Sequence, residues 1–140
     1  MTSPMYVRTF LISSLVALAA HGTTALAAET ETLASGVIVV HTTPGTGANP
    51  TAVDTVKVHY RGTLADGKEF DSSYKRNEPT VFPLSRVVPC WTQGIQKIKV
   101  GGKATLTCPP ATAYGERGAG GVIPPNATLT FEVELIAIVR

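Results

Sequence analysis

Thr55–Leu64 alternates without a break, with Val56, Val58 and Tyr60 on one side of an extended chain and Lys57, His59 and Arg61 on the other. A second run, Thr128–Val139, does the same: Leu129, Phe131, Val133 and Leu135 point one way, and Glu132 and Glu134 the other. A period of two with a charged outer face belongs to an antiparallel sheet packed on one side and wet on the other, because a parallel sheet is covered on both. Lys103–Cys108 adds a third such strand with Ala104, Leu106 and Cys108 inward. Gly36–Val40 reads as another, ended by the Pro44–Gly47 turn cluster. Asp66-Gly67 is a hairpin dipeptide that tolerates positive φ at both turn positions. It predicts a return strand through Glu69-Phe70-Asp71, and Thr80–Leu84 is a further short extended piece. Pro89 suits the first turn of a helix, Trp91, Ile95 and Ile98 form one apolar stripe, and Gly101-Gly102 is the expected stop. The fold class is α+β, an antiparallel sheet of about five strands wrapped on one short helix.

The chain's first 28 residues read as an address. Arg8 precedes an uncharged, mostly apolar run, Phe10–Ala20, and Ala25-Leu26-Ala27 has the small-x-small pattern of a cleavage site. A membrane span needs about 20 apolar residues, more than this run offers. No cysteine follows it to carry a lipid, so no anchor is expected once the segment is cleaved. The expectation is a signal peptide over 1–28, a polar, flexible segment over 29–35, and one domain over 36–140, exported to the periplasm or the medium. Beyond residue 28, 11 basic side chains face 10 acidic ones. That balance lacks the basic stripe of a nucleic-acid binder. Charged residues at 16% and hydrophobic residues at 44% exclude a disordered chain.

Few residues offer bond-breaking chemistry. Beyond the leader the histidines are His41 and His59, and His59 shares the solvent-side face with Lys57 and Arg61. Ser72 and Ser73 lie in no nucleophile elbow. Two histidines and two cysteines form no metal-ligand pattern, and Gly115–Gly121 lacks the Gly-Lys-Ser/Thr ending of a phosphate loop. No metal or cofactor is expected. What stands out is an aromatic set: Tyr60, Phe70, Phe82, Trp91, Tyr114 and Phe131. Each alone reads as core. Together they are many rings for a small domain, enough to line an apolar groove with a few polar tips.

Five blocks in order carry a resemblance: Val58–Leu64, Asp66–Ser73, Gly101–Ala104, Ala113-Tyr114-Gly115 and Ile123–Leu135. They resemble FKBP-type peptidyl-prolyl cis-trans isomerases, from about Gly36 to the C-terminus. Asp71-Ser72-Ser73-Tyr74-Lys75-Arg76 and Phe82-Pro83-Leu84 are similar to the exported bacterial branch of macrophage infectivity potentiator type. That branch often adds an N-terminal dimerisation domain for which 140 residues leave no room, so a monomer is expected.

The resemblance implies a substrate pocket between sheet and helix, with Trp91 as its floor and Tyr60, Phe70, Phe82, Val87, Val88 and Phe131 as its walls. Asp71 is implied as a buried carboxylate near the reacting amide, Arg76 as its partner, Tyr114 as a hydroxyl donor and Ile123 as a lip residue. Three positions depart from the family. Thr80 replaces a rim aromatic and implies a more open pocket, Ala119 shortens the flap before Ile123, and Cys90 replaces a glycine. The implied substrates are proline-containing polypeptides, with macrolides as inhibitors. The alternative is a binding or chaperone module on the same fold with incidental turnover. The implied fold also packs the helix carrying Cys90 on the strand carrying Cys108, and export favours a disulfide between them. A reactive thiol at the helix start and two buried free thiols are the alternatives.

Overall fold

The computed structural model describes residues 29–140; the expected signal peptide lies outside the described residues. The strands are β1 (Glu29–Thr32), β2 (Ile38–Thr43), β3 (Thr55–Thr63), β4 (Glu69–Ser72), β5 (Thr80–Pro83), β6 (Lys103–Cys108) and β7 (Leu129–Val139), with one α-helix, α1 (Pro89–Ile95). They form one sheet in the order β1-β2-β6-β7-β3-β4, with β5 also paired to β3. Every pairing is antiparallel.

The alternating runs set the core. Val56, Val58 and Tyr60 of β3 are buried, as are Ala104, Leu106 and Cys108 of β6 and Leu129, Phe131, Val133 and Leu135 of β7. The register places Leu106 opposite Phe131 and Tyr60 opposite Val133, so these rows share one inner face. Helix α1 covers it. A Cβ on Gly94 would lie 2.9 and 3.0 Å from the Leu106 methyls, so glycine there lets α1 settle directly on β6. Cys90 and Cys108, both at 0% exposure, are joined as a disulfide with their Cα atoms 5.6 Å apart.

Four details differ from the sequence expectation. The sheet has seven strands rather than five. Part of the excess is β1, in the segment expected to be flexible: its backbone pairs with β2, and His41 Nε2 lies 2.7 Å from Glu31 Oε2 across the pair. The Asp66-Gly67 turn has positive φ only at Gly67. Leu64 N–H donates to Lys68 O and Gly67 N–H to Leu64 O, a three-residue loop closed by a left-handed glycine. Finally, α1 ends at Ile95 rather than near Gly101. The amides of Lys97 and Ile98 then donate to the carbonyls of Gly94 and Ile95, tight turns that still bury Ile98.

Candidate active site

Trp91, the third residue of α1, stands at the centre of an aromatic cluster and is 4% exposed. Tyr60, Phe82 and Phe131 meet it edge to face at centroid distances of 5.1, 5.0 and 5.3 Å. Phe70 meets Phe131 the same way at 5.6 Å. Such pairs contribute roughly 0.5–1.5 kcal/mol each beyond burial, so the cluster is rigid. The Trp91 Nε1–H is buried without a hydrogen-bond acceptor among the described residues, because rings surround it. Above the cluster opens a cavity of about 530 Å³, lined by Tyr60, Phe70, Asp71, Phe82, Arg86, Val87, Val88, Trp91, Tyr114 and Phe131. Gly62 makes room for the side walls, since a Cβ there would fall 2.6 Å from Phe70 and 2.9 Å from Phe131.

The polar side of the cavity is a closed three-member network. Tyr60 Oη donates to Asp71 Oδ2 at 2.5 Å, Arg76 Nη1 donates to Asp71 Oδ1 at 2.8 Å, and Arg76 Nη2 donates to Tyr60 Oη at 3.1 Å. The Ser72 amide donates to Asp71 Oδ1 as well. Burial pushes the Asp71 carboxyl up, but the hydrogen bonds from Tyr60 and Arg76 and the guanidinium charge outweigh it, and its pKa lies below the ordinary Asp value. Burial and then the bond to Asp71 push the Tyr60 phenol above its ordinary value. The site therefore holds an ionised carboxylate and a protonated phenol at neutral pH. Tyr114 contributes a second hydroxyl from the loop after β6; the residue is 41% exposed, and its hydroxyl has no partner among the described residues.

Of the residues implied by the resemblance, Tyr60, Phe70, Asp71, Phe82, Val87, Val88, Trp91, Tyr114 and Phe131 lie together around this cavity. Three expectations change. The Asp71 side chain is 42% exposed, not buried, because β4 is an edge of the sheet and its carboxylate reaches outward to Arg76. Ile123 is 6% exposed and does not line the cavity. It pairs through its backbone with Ala119, and that pairing folds the flap onto itself and turns the side chain into the core. Arg76 pairs with Asp71 as the resemblance implied, from behind it and off the cavity wall, and its Nη2 also donates to Thr80 Oγ1 at 3.3 Å. His59 is half-buried rather than solvated. It stacks on Tyr74 at 4.6 Å and bonds Ser73, away from the cavity. Sequence reasoning missed Arg86, a cavity-lining cation; its only signal was its place directly before the two valines of the wall.

A rigid aromatic floor, apolar walls and a pair of hydroxyls beside one ionised carboxylate define a binding cavity for a compact apolar ring whose flanking groups carry hydrogen-bond acceptors. Residues 47–136 match the family model for FKBP-type peptidyl-prolyl cis-trans isomerase, and the chain belongs to that family. It is 58% identical over 94 residues to FKBP-type peptidyl-prolyl cis-trans isomerase FkpA of Aeromonas hydrophila, covering 67% of this chain and 35% of that one. It is 52% identical over 106 residues to FK506-binding protein 1 of Rhizopus delemar, covering 74% of this chain and 98% of that protein. The crystal structure of a peptidyl-prolyl cis-trans isomerase from Pseudomonas syringae superposes with a TM-score of 0.75 at 42% identity, covering 79% of this chain and 81% of the other. The chain spans less than half the length of the FkpA relatives.

Proposed function

We propose that this protein accelerates cis–trans rotation about X–Pro bonds in exported polypeptides. The observation that carries the reading is the Trp91-floored cavity, with aromatic walls and the Tyr60–Asp71–Arg76 network on one side. X–Pro rotation has a barrier of about 18–20 kcal/mol and takes tens of seconds or longer unaided. No covalent bond breaks, so neither a nucleophile nor a base is needed. The planar amide is held by its charge-separated resonance form, which water favours. An apolar cavity disfavours that form relative to the twisted transition state, and rigid walls complement the twisted shape. The Tyr114 hydroxyl, which has no hydrogen-bond partner among the described residues, holds a substrate carbonyl while the imide turns.

The leader-like residues 1–28 support export. A macrolide that imitates a twisted prolyl amide fits the same floor and competes with substrate. The test is a protease-coupled assay on prolyl peptides, read beside a titration of Trp91 fluorescence with such a macrolide. Acceleration of the slow phase, abolished at saturating macrolide, is expected. Absence of acceleration at micromolar protein, with ligand still quenching Trp91, assigns the cavity to a binding or chaperone module instead.

A further inference from the structure

Two ionisable side chains other than tyrosine line the cavity, Asp71 and Arg86. They are not equivalent. Asp71 is neutralised inside the protein by Arg76 at 2.8 Å and by the Tyr60 hydroxyl. Arg86 is exposed, and among the described residues its guanidinium makes no hydrogen bond or ion pair. Among the described residues the cavity wall therefore carries one uncompensated positive charge, on a side chain whose backbone position is fixed.

That place is built. Arg86 ends a 3-10 turn, Leu84–Arg86, between β5 and α1. The turn is pinned at Leu84, which is 0% exposed. Its amide donates to Asp54 O at 2.9 Å, and its carbonyl accepts the Thr92 hydroxyl at 2.6 Å. The next two residues, Val87 and Val88, are cavity wall. Arg86 is thus held beside bound substrate by the same short segment that shapes the apolar wall. A guanidinium presents a planar fork of donors that matches a carboxylate, and low-dielectric walls focus its field into the cleft.

We infer that Arg86 is a specificity-determining residue that selects substrates with an acidic side chain next to the proline. The inference rests on the isomerase reading of the cavity. With proline over Trp91, an extended chain advances about 3.3–3.6 Å per residue, so the carboxylate beside the cavity wall belongs to a residue adjoining the proline. An ion pair at such an exposed rim favours a Glu peptide over its Gln counterpart by about two- to fivefold at low salt.

The experiment compares peptides with Glu, Gln or Lys immediately before the proline, and a second series with the same residues immediately after it. Catalytic efficiency and dissociation constants from Trp91 fluorescence are both measured, for wild type, Arg86→Gln and Arg86→Glu. In one of the two series wild type should rank Glu above Gln above Lys. Arg86→Gln should bring the Glu/Gln ratio to about one, and Arg86→Glu should invert it. Raising ionic strength from about 0.02 to 0.5 M should erase the wild-type ratio, since screening then acts within a few ångströms. A Glu/Gln ratio that is near one in wild type in both series, or the same in wild type and Arg86→Gln, overturns the inference. Peptides that bind with the charge ranking but are not isomerised would refute the isomerase reading while sustaining the selectivity.

Discussion

Replacing Cys90 and Cys108 together by alanine removes a cross-link between α1 and β6 that closes a loop of 18 residues. In the chain-entropy account a loop of this length restricts the unfolded chain by about 3 kcal/mol. Both sulfurs are fully buried, so each truncation also leaves unfilled space and lost contacts costing about 1 kcal/mol. The expected loss is about 5 kcal/mol. At about 4 °C per kcal/mol for a domain of this size, the melting temperature falls by roughly 20 °C. The single variant Cys90→Ala already opens the loop, so it should melt within about 4 °C of the double variant. Differential scanning calorimetry of wild type, single and double variants supplies all three values. Neither sulfur lines the cavity, so kcat/KM at low temperature should stay within twofold of wild type. With both sulfurs at 0% exposure, thiol reductant should reach the bond only when the domain opens, and alkylation followed by mass spectrometry reads that directly. A double variant melting within about 4 °C of wild type would refute the loop argument.

Other outcomes follow from the site. Tyr114→Phe deletes a hydroxyl that has no partner among the described residues and should lower kcat/KM about two- to tenfold, the worth of one hydrogen bond, with no change in melting temperature. Asp71→Leu strips Arg76 and Tyr60 of their shared acceptor and should lower kcat/KM by about tenfold or more, a larger loss than Tyr114→Phe, measured on the same peptide. Gly62→Ala drives a methyl into Phe70 and Phe131; it should cost about 1–3 kcal/mol in a denaturant titration and raise KM as the rings move into the cavity. The lowered Asp71 pKa means its contribution to stability is complete above the unfolded value of about 3.9 and is lost as pH falls through the folded one. The raised Tyr60 pKa has the opposite sense: its contribution is complete below the unfolded value of about 10 and is lost as pH rises through the folded one. Between about pH 5 and 9 neither group changes charge, so kcat/KM should be flat there, and a titration near pH 7 would show that a different group governs the rate.

Strands β3, β6 and β7 were legible in the sequence because one face of each is packed and the other wet, and burial writes itself as a period of two. The aromatic cavity was legible for a related reason: seven aromatic side chains in a small domain, several on inward strand positions, leave few places for all of them to pack. Strand β1 was not legible, since Glu29-Thr30-Glu31-Thr32 buries almost nothing and is held by backbone pairing to β2 and the Glu31–His41 contact. Nor was the irregularity at Ile136, where β3 and β7 change register between Lys57 and Val58 so that Val58 faces Leu135 while Lys57 faces Ala137. The exposure of Asp71, the inward turn of Ile123 and the entry of Arg86 into the cavity wall were likewise decided in three dimensions. Each depends on which segment ends at a sheet edge, folds back on itself or is pinned beside another. A sequence records the preference of each residue for water or interior along one chain. Which residues from distant segments share a cavity is set by strand pairing and register, and no local pattern carries that information.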